Sequence, residues 1–167
     1  MSDDEAPTGS GTEIAGSADE ADEGTYTLVV GLDRSGPVEI EVGALGTVAF
    51  AADWYAYTGS AFGPGGFARV ERHRALAAGE RDARHWHVDY LLGHPAAAVE
   101  RVVRTPGRDV ECAVGRALAA AFDPVPAFGA SDCDCDCDSH LVGAPELESL
   151  VAAVERGHER AAREARE

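Results

Sequence analysis

Apolar residues come first in short alternating or continuous blocks, and only later at helical spacing. "TYTLVVGL" (25–32) is β-branched and aromatic, bounded by Gly24 and the turn-like "DRSGP", while "VEIEV" (38–42) alternates apolar with acidic positions. Together they predict a hairpin with one wet face. "GTVAFA" (46–51) and "WYAYTG" (54–59) add two strands, the second closed by Gly59 and Ser60. "GPGG" (63–66) then breaks the chain. Beyond it Phe67, Val70, Arg74 and Ala77 fall at helical spacing and Gly79 offers a stop, predicting a helix with Arg69, Arg72 and His73 on or beside its polar side. A short helix over 85–93, an apolar strand over 96–105 and a longer helix over 108–122 follow, the last with Asp109 near its start and Pro124 just past its end. After a loop and a short "SHLVG" comes an amphipathic segment over 146–166. Leu147, Leu150, Val151 and Val154 mark one face of it, and "ERGHERAAREARE" reads as solvated charge.

Composition changes how the charge is read. Thirty acids face fourteen arginines in 167 residues, for a net charge of −16, and the chain has no Lys, Asn or Gln. This resembles the composition of a halophilic protein, whose carboxylates would keep the surface hydrated in strong brine, so the sign of the charge says little about partners. Eight of the acids lie in the first 23 residues, which have no base. That stretch is too poor in apolar residues to offset the entropy of ordering, and a disordered acidic tail is expected over 1–23. A domain over 24–143 and a C-terminal amphipathic helix over 144–167 complete the expected organisation. There is no basic, apolar leader and no run of ~18 apolar residues, so a cytoplasmic protein with reduced thiols and no membrane contact is expected.

The candidate chemistry lies in the order of short motifs. Gly24, Thr25 and Tyr26 stand on the first strand, Tyr57, Thr58 and Gly59 on a later one, Arg69 and His73 four residues apart on a helix, and Glu111 at the start of another. In this order they resemble the GIY-YIG nuclease superfamily, with Thr25 where the first motif has Ile. A closer resemblance, over roughly 24–142, is to an uncharacterised archaeal and bacterial branch, sometimes fused to endonuclease III-type repair enzymes. Its blocks read here as "GTYTLVV", "YAYTGSA", "RVERH", "WHVDYLL", "ECAVGRAL" and "FGASDCDCDCDSHL".

The resemblance implies an α+β fold, a small antiparallel sheet flanked by helices. It also implies a phosphodiester-cleaving site in which Arg69 grips the phosphate and Glu111 holds one Mg²⁺ or Mn²⁺. Tyr26 or Tyr57 would help orient or deprotonate the water, and His73, one turn from Arg69, could assist proton transfer. Ser60, next to the second motif, and His87, within the branch block, are further site candidates, although a helix packed by Trp86 with His87 hydrogen-bonding in place is the plainer reading of that histidine. His85 and Asp89 share a helical face, as a metal or hydrogen-bond pair would. This chain departs from the superfamily twice. The long interval between Tyr26 and Tyr57 implies an inserted strand pair, and the Asn that active members usually carry after the Glu helix is missing, so that Asp132 or Ser131 takes its place or catalysis is lost.

"SDCDCDCDSH" (131–140) alternates Cys133, Cys135 and Cys137 with aspartates, which along an extended chain puts the cysteines on one side and prevents disulfides between such close neighbours. The branch pattern has two of these cysteines and the following His, here Cys133, Cys135 and His140. With Cys112 they form a possible Zn²⁺ set, against a loop that carries no metal. Three functions follow: a metal-dependent DNA endonuclease in repair or processing, with a possible repair-protein partner; a nucleic-acid-binding module that has lost cleavage; or a Cys/His metal-binding or redox protein. Between 69 and 87, Arg69, Arg72, Arg74, Arg81 and Arg84 outnumber Glu71, Glu80 and Asp82, which favours DNA. In molar salt, however, the screening length is ~3 Å, so such binding must rest on close contacts.

Overall fold

The computed structural model describes residues 11–13, 22–33, 36–62, 65–81, 86–128 and 139–165. In chain order it holds β1 (Gly11–Glu13), β2 (Gly24–Leu32), β3 (Val38–Glu41), β4 (Thr47–Phe50), β5 (Trp54–Ser60), α1 (Ala68–Ala77), α2 (His87–Leu92), β6 (Ala97–Pro106), α3 (Glu111–Ala121), β7 (Asp123–Pro124), β8 (Leu141–Ala144) and α4 (Leu147–Ala165). The fold is α+β. Its main sheet runs β1-β6-β2-β5-β8-β7, antiparallel throughout except where β1 lies parallel to β6.

β2 is buried at every position but Gly31. A strand covered on both faces reads as a nearly continuous apolar run, as "TYTLVVGL" does. This is why the expected hairpin between 25–32 and 38–42 does not form: β2 pairs with β5 on one side and β6 on the other. The half-wet β3, with alternating burial, pairs instead with β4 in a separate ribbon inserted between the two tyrosine strands.

Alternation along the strands builds two cores. Tyr26, Leu28, Val30, Tyr55 and Tyr57 pack with Val70, Leu76, Val88 and Leu91 from α1 and α2. Val29, Ala56, Val103 and Val142 pack with Val114 and Leu118 of α3 and Leu150, Val154 and Ala161 of α4. The segment expected to be an appended helix trailing into solvated charge therefore completes the second core. His158, inside that charged run, is fully buried.

The N-terminal segment also departs from expectation, because Gly11–Glu13 pair with β6 and the carbonyls of Asp22 and Glu23 accept hydrogen bonds from Phe67 N and Gly107 N. Residues 1–10 and 14–21 of the expected tail lie outside the described residues. No described helix is long and apolar enough to cross a membrane.

Candidate active site

The site forms at one end of the sheet, where β2 begins and β5 and β6 end: Tyr26 lies opposite Gly59 on one side and Arg104 on the other. Two motif glycines have a steric reason to be there. A Cβ on Gly59 would meet the Tyr26 hydroxyl at 2.7 Å, and one on Gly24 would meet Pro106 Cα at 2.8 Å. Gly59 thus leaves room for the phenol, and Gly24 lets β2 start against the end of β6.

Tyr26, 1 % exposed, places its hydroxyl 3.0 Å from His73 Nε2, while His73 Nδ1 lies 3.2 Å from Asp89 Oδ1. A carboxylate only accepts, so Nδ1–H donates to Asp89, and in the neutral ring Nε2 accepts from the Tyr26 O–H. Asp89 Oδ2 accepts in turn from the backbone N–H of Trp86 at 3.0 Å, which fixes the start of α2. Burial raises the Tyr26 phenol well above its usual 10. Tyr57, Glu111 and Asp89 push the same way and Arg69 opposes them. The phenol is therefore protonated at neutral pH, and these charges bear on one oxygen. Tyr57 stands beside it, its ring 6.4 Å from that of Tyr26 and 6.5 Å from His73.

Arg69 is held from two sides: its Nη1 donates to the Ser60 carbonyl, and its guanidinium lies 4.7 Å over the Trp86 ring. Ser60 thus contributes through its backbone, and its hydroxyl accepts a long 3.5 Å bond from Phe62 N.

Glu111 opens α3, whose start is fixed by Thr25. The Thr25 hydroxyl accepts from Val110 N and donates to the Arg108 carbonyl, both at 2.9 Å. Glu111 Oε2 lies 2.9 Å from Nδ1 of the buried His140, while the Glu111 side chain keeps 22 % exposure.

The sequence-predicted residues divide accordingly. Tyr26, Tyr57, Arg69, His73 and Glu111 converge, with Ser60 at the edge. His87 packs its ring 5.6 Å from Phe128. His140 Nδ1 meets Glu111. Cys112 is disulfide-bonded, so neither its place as a thiolate ligand nor the expectation of reduced thiols holds there. Cys133, Cys135, Cys137, Ser131, Asp132 and His85 lie outside the described residues, and among those described no three His, Cys, Asp or Glu side chains converge on a metal position. Asp89, which shares a helical face with His85 in the sequence, orients His73. The only sequence signal for that was an acid inside "WHVDYLL", with nothing to say which histidine it would meet.

No curated protein and no solved structure matches this chain. The protein-family comparison matches residues 25–163, from the strand that carries Tyr26 to the last turns of α4, to Domain of unknown function DUF123. The chain belongs to the DUF123 family.

Proposed function

We propose that this protein is a divalent-metal-dependent endonuclease of GIY-YIG type that hydrolyses DNA phosphodiester bonds, in repair or processing. One observation carries the reading: two tyrosines, an arginine, a histidine and a glutamate from four separated motifs meet at one end of a sheet, with their charges acting on the Tyr26 hydroxyl. Phosphodiester hydrolysis needs such a set, a cation for the phosphoryl oxygens and a proton acceptor near the attacking water. Arg69 supplies the first. His73, backed by Asp89, supplies the second through the Tyr26 hydroxyl, which would take the water's proton as it gives its own to His73 Nε2.

The donor set fits a hard cation. Mg²⁺ is commonly held by one or two carboxylates together with waters and substrate phosphates, and Glu111 is a partly open carboxylate steadied by His140. Bound there, Mg²⁺ or Mn²⁺ would neutralise charge developing on the phosphate. His140 also offers a way to position Glu111 in a chain without the usual Asn.

The test is incubation at high salt with Mg²⁺ or Mn²⁺ and single-stranded, duplex, flapped and damaged DNA. Glu111→Gln and Arg69→Ala are each expected to lower cleavage by ~10²-fold or more. Thermal midpoints should move little, and DNA binding should survive Glu111→Gln better than Arg69→Ala. Full cleavage by both variants would rule out this site. No cleavage by the wild-type protein would leave a binding module.

A further inference from the structure

We infer that Trp86, together with Arg69 and Arg72, forms a stacking platform for an unpaired base beside the scissile phosphate, so that the substrate is a nucleic acid single-stranded at the cut. This rests on the nucleic-acid reading above and narrows it.

Arg69 and Arg72 stand three residues apart on α1, hence on one face, and both guanidinium groups lie over the half-buried Trp86 ring, at 4.7 and 5.5 Å. In a chain with thirty acids to fourteen bases, neither forms an ion pair with a described carboxylate. Just before α1, Phe67 repeats the arrangement with Arg104 at 5.1 Å. Aromatic rings interleaved with arginines form surfaces on which unpaired bases stack, against the ring or the guanidinium plane. In a duplex the base faces are already stacked on one another, so such a platform has nothing to engage. Stacking also persists at ionic strengths that screen attraction to phosphate, so it suits an acidic protein.

The platform is coupled to the site. The backbone N–H of Trp86 is held by Asp89, whose other oxygen orients His73, and the His73 ring lies 5.9 Å from the indole. Arg69 belongs to both groups. A base stacked here would set its own phosphate beside Arg69 and Tyr26.

Binding without metal tests this separately from cleavage. Fluorescence anisotropy with EDTA present would compare a labelled mixed-sequence oligonucleotide with its blunt duplex, using the full chain. The single strand should bind at least about tenfold more tightly. Trp86→Leu keeps apolar bulk without a π-face and should weaken single-strand binding about tenfold, whereas Trp86→Phe should stay near wild type. Arg72→Gln, outside the core, should weaken it too and reduce its salt dependence, and it decides the matter if Trp86→Leu fails to fold. Trp54→Phe, at the other end of β5, should bind as wild type. Unchanged binding in the folded Trp86→Leu or Arg72→Gln protein, or a duplex bound as tightly as the single strand, overturns the platform and leaves the nuclease reading intact. No binding to either form also overturns the platform, and cleavage with Mg²⁺ or Mn²⁺ then decides the nuclease reading by itself.

Discussion

At the residue scale, the Tyr26, His73 and Asp89 chain shows what a one-dimensional pattern holds and what it omits. Tyr26 and His73 were legible because they sit in ordered motifs. Asp89 was not, because its partner is sixteen positions upstream and the contact exists only once α2 folds against α1. Asp89→Asn preserves an acceptor for the Trp86 N–H but removes the charge facing the imidazole. Cleavage should fall by about 10²-fold. A thermal midpoint unchanged from wild type separates this loss from a purely structural defect.

Elements were easier to read than their pairings. Helical spacing located α1, α3 and α4 to within a few residues, since periodicity depends only on neighbours along the chain. The β2 to β3 hairpin failed because strand partners are chosen by burial across the sheet. α4 was underrated for a related reason: "ERGHERAAREARE" looks uniformly charged until His158 is turned inward. There its two ring nitrogens lie 2.7 Å from the hydroxyls of Thr27 and Thr105, and Thr27 also meets Thr58 at 2.9 Å. A neutral imidazole satisfies both threonines, one as donor and one as acceptor. Burial lowers its pKa from 6.5 to about 3. The folded state therefore favours the neutral ring, so this contribution is complete above pH 6.5 and is lost as pH falls toward 3, amounting to a few kcal/mol. His158→Leu should be less stable at pH 7 by about 1–3 kcal/mol, because two buried hydroxyls lose a partner. Its stability should also fall less steeply over that range than the wild type's in parallel denaturant titrations.

For the whole molecule, the sheet carries Tyr26, Tyr57 and the core of α1 and α2 on one face and the core closed by α3 and α4 on the other, with Glu111 of the candidate site at the start of α3. Ending the chain at residue 146 would uncover Val29, Val103 and Val142 and remove Leu150, Val154 and His158. The expected result is loss of the cooperative unfolding transition by calorimetry, not a trimmed but stable domain. Thr25 and Tyr26 show how closely the two sides are registered. Adjacent residues on a strand point to opposite faces, so the Thr25 hydroxyl sets the start of α3, and with it Glu111, while Tyr26 meets His73 across the sheet. Thr25→Val keeps the shape and strands the Val110 N–H. It should cost about 1–3 kcal/mol and reduce cleavage more than Mg²⁺-free DNA binding. A single dipeptide thus indexes the carboxylate and the phenol against each other. A slip of β2 by one residue would exchange their faces and dismantle both halves at once. The placement of Tyr26 relative to Glu111 can therefore be altered along β2 only in steps of two residues, since any odd step exchanges the faces.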